Sequence, residues 1–358
     1  MDIILDNIIF SIQKSGGISV VWYEMVKRLL LKNDDLTFLE YNKSLNNIFR
    51  QKLPIDGCKV LYANYAILQV QRYLNPVINN KNPFIFHSSY YRVNENKKAI
   101  NFTTVHDFTY EYFVPGLKKS IHSIQKKLAI QKSDYIVCIS ENTKKDLLKF
   151  FPNVDSRKIF VIHNGVSDDY FPLPPNTSYK LPFKKHDYLL FVGSRVSYKN
   201  FDLVLDIISR TDFNLIIVGA PLTEEEKSYM TKKKIDETKY KCLSNISNQK
   251  LNILYNYAFS LIYPSSYEGF GIPVLEAQKA GCPVIAYSNS SIPEIIGLDD
   301  TLVLDLEIDS FISKLEILKH KENRAKIVEE GIINSRKYTW ESTFDKLYHL
   351  YQVAWHTR

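Results

Sequence analysis

Short apolar runs alternate with longer amphipathic stretches along nearly the whole chain, a rhythm that points to parallel sheets covered by helices. Strands are expected at Ile3–Ile9, Phe84–Phe86, Phe102–Val105, Tyr135–Ile139 and Ile159–Ile162. Helices fit Ile18–Lys32, where Val21, Met25 and Leu29 make an apolar stripe, and Lys144–Phe151, capped by Ser140 or Asn142. Around Tyr170–Phe183 the rhythm breaks. Pro172, Pro174, Pro175 and Pro182 cluster there with Asn176, Thr177 and Ser178, which is linker chemistry because proline withholds a donor and disfavours helix. A second alternating series follows, with strands at Tyr188–Val192, Leu215–Val218, Phe259–Tyr263, Pro283–Ala286 and Thr301–Leu304, then a closing helix over Thr339–Ala354. At 358 residues the chain has room for two cores. The expected class is α/β: two Rossmann-like doubly wound domains facing across a cleft. Their bounds are residues 1–170 and 184–338, with 171–183 as linker and the terminal helix, 339–358, packing back on the first domain. In such sheets ligands gather at the carboxyl ends of the strands.

No stretch reaches the 18 or so uninterrupted apolar residues of a membrane span. Asp2 and Asp6 bracket the short opening apolar run, which reads as a first strand rather than a signal peptide. Cys58, Cys138, Cys242 and Cys282 are scattered without C-x-x-C spacing, so a reducing cytoplasm is the expected setting. The net charge of +7 is lopsided: residues 1–170 hold 23 Lys/Arg against 16 Asp/Glu, and residues 171–358 hold 23 against 23. Its densest part is Lys118, Lys119, Lys126, Lys127 and Lys132, interleaved with Ile121, Ile124 and Leu128 at helical spacing. That pattern fits either a solvated helix face or a surface drawn to anionic lipid headgroups at the inner face of a membrane. No helix-turn-helix, zinc-finger or RNP-like pattern accompanies the charge, so nucleic acid is not an expected partner.

The strongest chemical signal is Tyr263-Pro-Ser-Ser-Tyr-Glu268-Gly269-Phe270-Gly271-Ile-Pro-Val-Leu-Glu276. A strand ends, a glycine-bearing loop follows, and Pro273 stands where a helix should begin. Gly269 and Gly271 let backbone amides approach a ligand, and the helix start suits phosphate oxygens. Ionised Glu268 and Glu276 would repel phosphate, so their fitting partners are hydroxyls of a sugar and a ribose. After the first strand of the second half comes Gly193-Ser-Arg195-Val-Ser-Tyr-Lys199-Asn200, whose Arg195 and Lys199 would neutralise a diphosphate. The first half supplies Gly16-Gly17 between strand and helix, His106-Asp107 at a strand end, and His87-Ser-Ser-Tyr90, which would help hold an acceptor with Asp107. Taken singly, a double glycine is often only a turn and a His-Asp pair often only a satisfied polar corner. No D-x-D pair, P-loop, G-x-S-x-G elbow or H-E-x-x-H occurs.

In this order the motifs resemble glycosyltransferase family 4, whose members are retaining enzymes of the GT-B fold. The likeness spans essentially the whole chain, including Cys138-Ile-Ser-Glu-Asn142, Val161-Ile-His-Asn-Gly165-Val166 and the Trp-bearing closing helix. The resemblance implies a nucleotide diphosphate sugar donor, a glycan or lipid-linked saccharide acceptor, and no metal or other cofactor. By the same resemblance, Gly17 meets the diphosphate through its backbone, with Arg195 and Lys199 closing on it. Glu268 binds hydroxyls of the transferred sugar and Glu276 binds the ribose. The backbone of Gly269, Phe270 and Gly271 meets sugar or phosphate, and the His106 carbonyl faces the anomeric carbon. The family has no agreed protein nucleophile. The close spacing of Arg195 and Lys199 departs from many members, and the His-Asp and Tyr-Lys-Asn variants lean toward GDP-mannose or a related GDP-hexose. Two other readings stand beside this one: a nucleotide-sugar epimerase or phosphorylase of the same fold, and a non-catalytic sugar-nucleotide binder or membrane-surface scaffold.

Overall fold

The computed structural model describes residues 1–32, 34–55, 57–63, 71–175 and 177–357. Asn176 of the expected linker and Arg358 of the closing helix lie outside the described residues. By its contacts the chain divides into two units, Met1–Asn164 with Trp340–Arg358, and Gly165–Thr339. Each is built on one parallel sheet.

In the first unit the strands are β1 (Asp2–Asp6), β2 (Asp35–Tyr41), β3 (Lys59–Ala63), β4 (Phe84–Ser88), β5 (Ala99–Val105), β6 (Tyr135–Cys138) and β7 (Ile159–Val161). They pair in the order β3-β2-β1-β4-β5-β6-β7, all parallel. The chain reverses its direction of travel across the sheet between β1 and β4, the switch point where loops diverge and leave a crevice. Leu5, Val26, Phe38, Phe102 and Tyr351, none more than 0% exposed, centre the core, and Phe344, Leu347, Leu350 and Ala354 of the helix Trp340–His356 complete it. The first strand stops at Asp6 rather than running to Ile9, and Ile8–Ile12 is a short helix. Asn7 stands at the strand's end, its backbone amide still donating to the Leu39 carbonyl at 3.0 Å while its side chain donates to Glu40 at 2.6 Å and accepts from the Trp22 indole at 2.7 Å.

The second unit holds β8 (Tyr188–Val192), β9 (Asn214–Val218), β10 (Tyr240–Leu243), β11 (Ser260–Tyr263), β12 (Val284–Tyr287) and β13 (Leu302–Val303). Their order, β10-β9-β8-β11-β12-β13, is that of a dinucleotide-binding sheet, with its switch point between β8 and β11. The proline-rich segment read as a linker is anchored to this unit. The Phe171 amide donates to the Asn252 side chain at 3.1 Å and the Leu173 amide to the Asn256 side chain at 2.7 Å. Prolines forbid helix there but leave those two intervening amides free to pair.

The basic stretch around residue 126 forms the helix Leu117–Lys132, but Lys126 is no part of a charged surface. It is wholly buried, donating to Glu111 at 2.7 Å and to the Asp107 carbonyl at 2.9 Å. Among the described residues no helix is long and apolar enough to cross a membrane.

Candidate active site

The apolar strands β8 and β11 lie side by side, so their following loops emerge at one place, the switch point of the second sheet. The β8 loop opens at Gly193, whose φ of 135° favours glycine. A Cβ at Gly219, after β9, would meet the Gly193 carbonyl at 2.5 Å, so this glycine permits the two loops to touch. Further along, Ser197–Lys199 makes one tight turn and Asn200 adopts the left-handed conformation. From there the Asn200 side-chain amide donates to the Pro264 carbonyl at 2.7 Å and to Ser266 at 2.8 Å, stitching the β8 loop to the β11 loop.

The stitching brings Lys199 and Glu268 into a direct ion pair, with side chains 14% and 12% exposed. They are shielded enough for the attraction to matter and open enough to meet a ligand. The backbone around Glu268 is pinned from the loop after β12. Ser290 accepts from the Glu268 amide at 2.8 Å, and Ser291 donates to the carbonyls of Glu268 and Phe270 at 3.0 and 2.8 Å. Sequence reasoning missed these two serines, whose only signal is their position after a strand. Phe270 is 3% exposed with its ring against Tyr338, so only its backbone can serve a ligand.

Gly271 begins the helix Ile272–Lys279 at a φ of 106°, and a Cβ there would strike Ile292 at 2.9 Å. One turn in, Glu276 accepts from the Tyr255 hydroxyl at 3.0 Å. Burial pushes its carboxyl up to about 7, while hydrogen bonds from Tyr255 and Tyr170 oppose the rise. The loop thus places amide donors at a helix start between two carboxylates, a geometry for a phosphate flanked by hydroxyl-bearing rings.

Arg195 does not join this group. Its guanidinium is committed to Glu226, Nε at 2.5 Å and Nη2 at 3.0 Å, and to the carbonyls of Ala220 and Pro221 at 2.9 and 2.8 Å. Glu226 also closes a capping box with Thr223 at the start of the helix Glu224–Lys232, which fixes its carboxylate in reach of the arginine.

In the first unit Gly16 caps the helix Gly17–Leu29, and a Cβ at Gly17 would meet nothing, so the helix start stays open to a ligand. His106 follows β5 beside Ser88, Ser89 and Asn164 in an apolar pocket whose walls include Val21, Ile139 and Ile162. Burial lowers its imidazole to about 4, with Asp107 opposing and Lys126 assisting, so the ring is neutral at pH 7. The Asp107 carboxylate accepts from the Thr109 amide at 2.9 Å, a local turn cap.

His87 departs from the expected acceptor role. It is 1% exposed and its two ring nitrogens are taken by Tyr351 at 2.5 Å and Thr104 at 2.9 Å. An imidazole on the alternating face of a fully buried strand is a core residue, and burial drives it down to about 3. Tyr90 is half-buried, its ring against Tyr91 and under the Arg72 guanidinium. Beside these residues lies a buried charged cluster that the sequence did not signal. Asp6 accepts from Ser88 at 2.7 Å and pairs with Arg92 at 3.4 Å, and Arg92 donates to the Tyr41 hydroxyl at 2.8 Å.

Comparison with known proteins decides the identity. Residues 15–170 match the family model described as "Glycosyltransferase Family 4", and residues 176–334 match "Glycosyl transferases group 1". The chain belongs to glycosyltransferase family 4. It is 24% identical to O-antigen chain mannosyltransferase B of Escherichia coli, over 94% of this chain and 96% of that one. It is 32% identical to O-antigen chain mannosyltransferase RfbU of Salmonella typhimurium over 51% of this chain and 50% of the relative. Among solved structures, Anabaena HepE in complex with UDP and glucose superposes with a TM-score of 0.73 at 14% identity, covering 98% of this chain and 99% of that one. The sucrose-phosphate synthase of Thermosynechococcus elongatus gives 0.73 at 13% identity over the whole of both chains. The architecture of this transferase is therefore GT-B.

Proposed function

We propose that this transferase moves a hexose from a nucleotide diphosphate sugar to a saccharide acceptor, with retention at the anomeric carbon and without a metal ion. The observation that carries the reading is the Lys199–Glu268 pair beside the Gly271 helix start, with Glu276 one turn beyond. A donor entering there exchanges the pair for two better-matched contacts. Lys199 turns to the diphosphate, and Glu268 accepts hydrogen bonds from hydroxyls of the sugar. Glu276 meets the ribose, and amides of Gly269–Gly271 meet phosphate or sugar. The bond from the anomeric carbon to the phosphate oxygen breaks as the bond to the acceptor oxygen forms on the same face. The acceptor's proton passes to the leaving phosphate. Lys199 stabilises the charge that develops on that phosphate.

The two O-antigen mannosyltransferases among the relatives support mannose as the transferred sugar and a place in surface polysaccharide assembly, and the His-Asp and Tyr-Lys-Asn motifs lean toward a GDP-linked donor. The first half's surplus of seven positive charges favours a lipid-linked acceptor at an anionic membrane face. Product formation from a panel of GDP- and UDP-hexoses in EDTA, read by the one-bond carbon–proton coupling at the product's anomeric centre, tests donor, metal independence and stereochemistry together. An inverted product, or turnover that requires a divalent ion, would refute the reading.

A further inference from the structure

The helix Leu117–Lys132 wears its apolar residues on the outside. Toward the core it turns His122, Gln125, Lys126, Ala129 and Ile130. Outward it presents Leu117, Ile121, Ile124 and Leu128, which are 80%, 49%, 58% and 49% exposed. At about 100° per residue these four fall within about 60° of arc, so they form one ridge along the length of the helix. Exposed Lys118 flanks the ridge on one side and exposed Lys127 on the other, with Lys132 at its far end paired to Glu95. Phe113, just ahead of the helix, is 39% exposed. Single exposed leucines need no explanation, but four in register between lysines do.

We propose that this ridge docks the enzyme on an anionic bilayer, with Leu117, Ile121, Ile124 and Leu128 entering the acyl boundary and the flanking lysines meeting headgroup phosphates. The proposal rests on the transferase reading for its lipid-linked acceptor and gives that reading a mode, insertion of an apolar ridge rather than charge attraction alone. Charge complementarity selects the occupant. The half of the chain bearing the ridge holds the whole positive surplus, 23 Lys/Arg against 16 Asp/Glu. A second copy placed face to face across the ridge would set Lys118 and Lys127 against their own kind.

The test floats the full chain with phosphatidylcholine vesicles that either contain or lack phosphatidylglycerol. The wild type is expected to float with the anionic vesicles and stay behind with the neutral ones. I121S/I124S should weaken that partition about tenfold or more while keeping the wild-type melting temperature and donor-induced thermal shift. An I124W probe should shift its emission to the blue on anionic vesicles and be quenched by lipid brominated in the acyl chains. Undiminished flotation of I121S/I124S, equal flotation with both vesicle types, or an unquenched I124W probe would each overturn the proposal. So would a change from dimer to monomer in I121S/I124S, which would make the ridge a self-contact. Failure of donors to stabilise a wild type that still floats would count against the transferase reading and leave the docking intact.

Discussion

Lys199 and Glu268 stand 69 residues apart in sequence and neutralise each other at the switch point of the second sheet. Each carries the other's counter-charge, so on the proposed binding mode a donor replaces both partners at once. Lys199→Ala and Glu268→Ala are each expected to lower kcat/KM by on the order of 100- to 1,000-fold in protein that remains folded. Because the two act as a unit, the double variant should lose far less than the product of the single effects. Steady-state kinetics of the four proteins in the cycle measures this, and strict additivity would mean that the pair is incidental.

Arg195 should behave differently. Its side chain is 5% exposed and bound to Glu226 and two carbonyls, so Arg195→Ala strands a largely shielded carboxylate. A loss of about 1–3 kcal/mol of stability is expected, seen as a lower melting temperature, where Lys199→Ala costs much less. An Arg195→Ala protein of full stability but little turnover would return Arg195 to the diphosphate.

Glu276 predicts a pH dependence. Its folded carboxyl titrates near 7, above the unfolded value of 4.5, so as pH rises between those limits the native state holds a proton the unfolded chain has released. Stability from this group is therefore present at low pH and declines toward pH 7. Under the proposed ribose-binding role, donor binding runs the other way, because only the carboxylate would accept from both ribose hydroxyls. Affinity for a nucleotide sugar, whose diphosphate diester has no proton to lose in this range, should rise roughly five- to tenfold from pH 6 to pH 8. Calorimetric titration at several pH values measures it, and Glu276→Gln should give a flat profile.

His87 and Tyr351 predict a purely structural effect. Tyr351→Phe removes the hydroxyl that satisfies His87 Nδ1 inside the core. Stability should fall by about 1–3 kcal/mol, with KM for the acceptor unchanged. A raised acceptor KM at full stability would place His87 in the acceptor site after all.

β8 was legible residue for residue, because Tyr188–Val192 is a continuous apolar run between polar segments. β3 and β10 were not, since they are edge strands with no fully buried side chain, and the short run Val60–Ala63 of β3 lies on a largely exposed edge. β2 was hidden for another reason: Glu40 breaks its apolar pattern but is buried and paired with Arg50 at 2.9 Å. In the candidate site, Glu268, Gly271 and Glu276 stand out in the sequence because one continuous motif carries them. The commitment of Arg195 could not, because it depends on Glu226, 31 residues away on the helix Glu224–Lys232. His87 misled because alternation along a strand does not reveal that both of its faces are covered.

Calorimetric titration of nucleotide diphosphate sugars into the wild type and Glu268→Ala, in EDTA, probes the donor site itself. Saturable binding of one or more of them to the wild type is expected, strongest for a GDP-hexose, with markedly weaker binding to the variant. No heat from any donor with folded wild-type protein, or equal affinity in the variant, would contradict the proposed donor site.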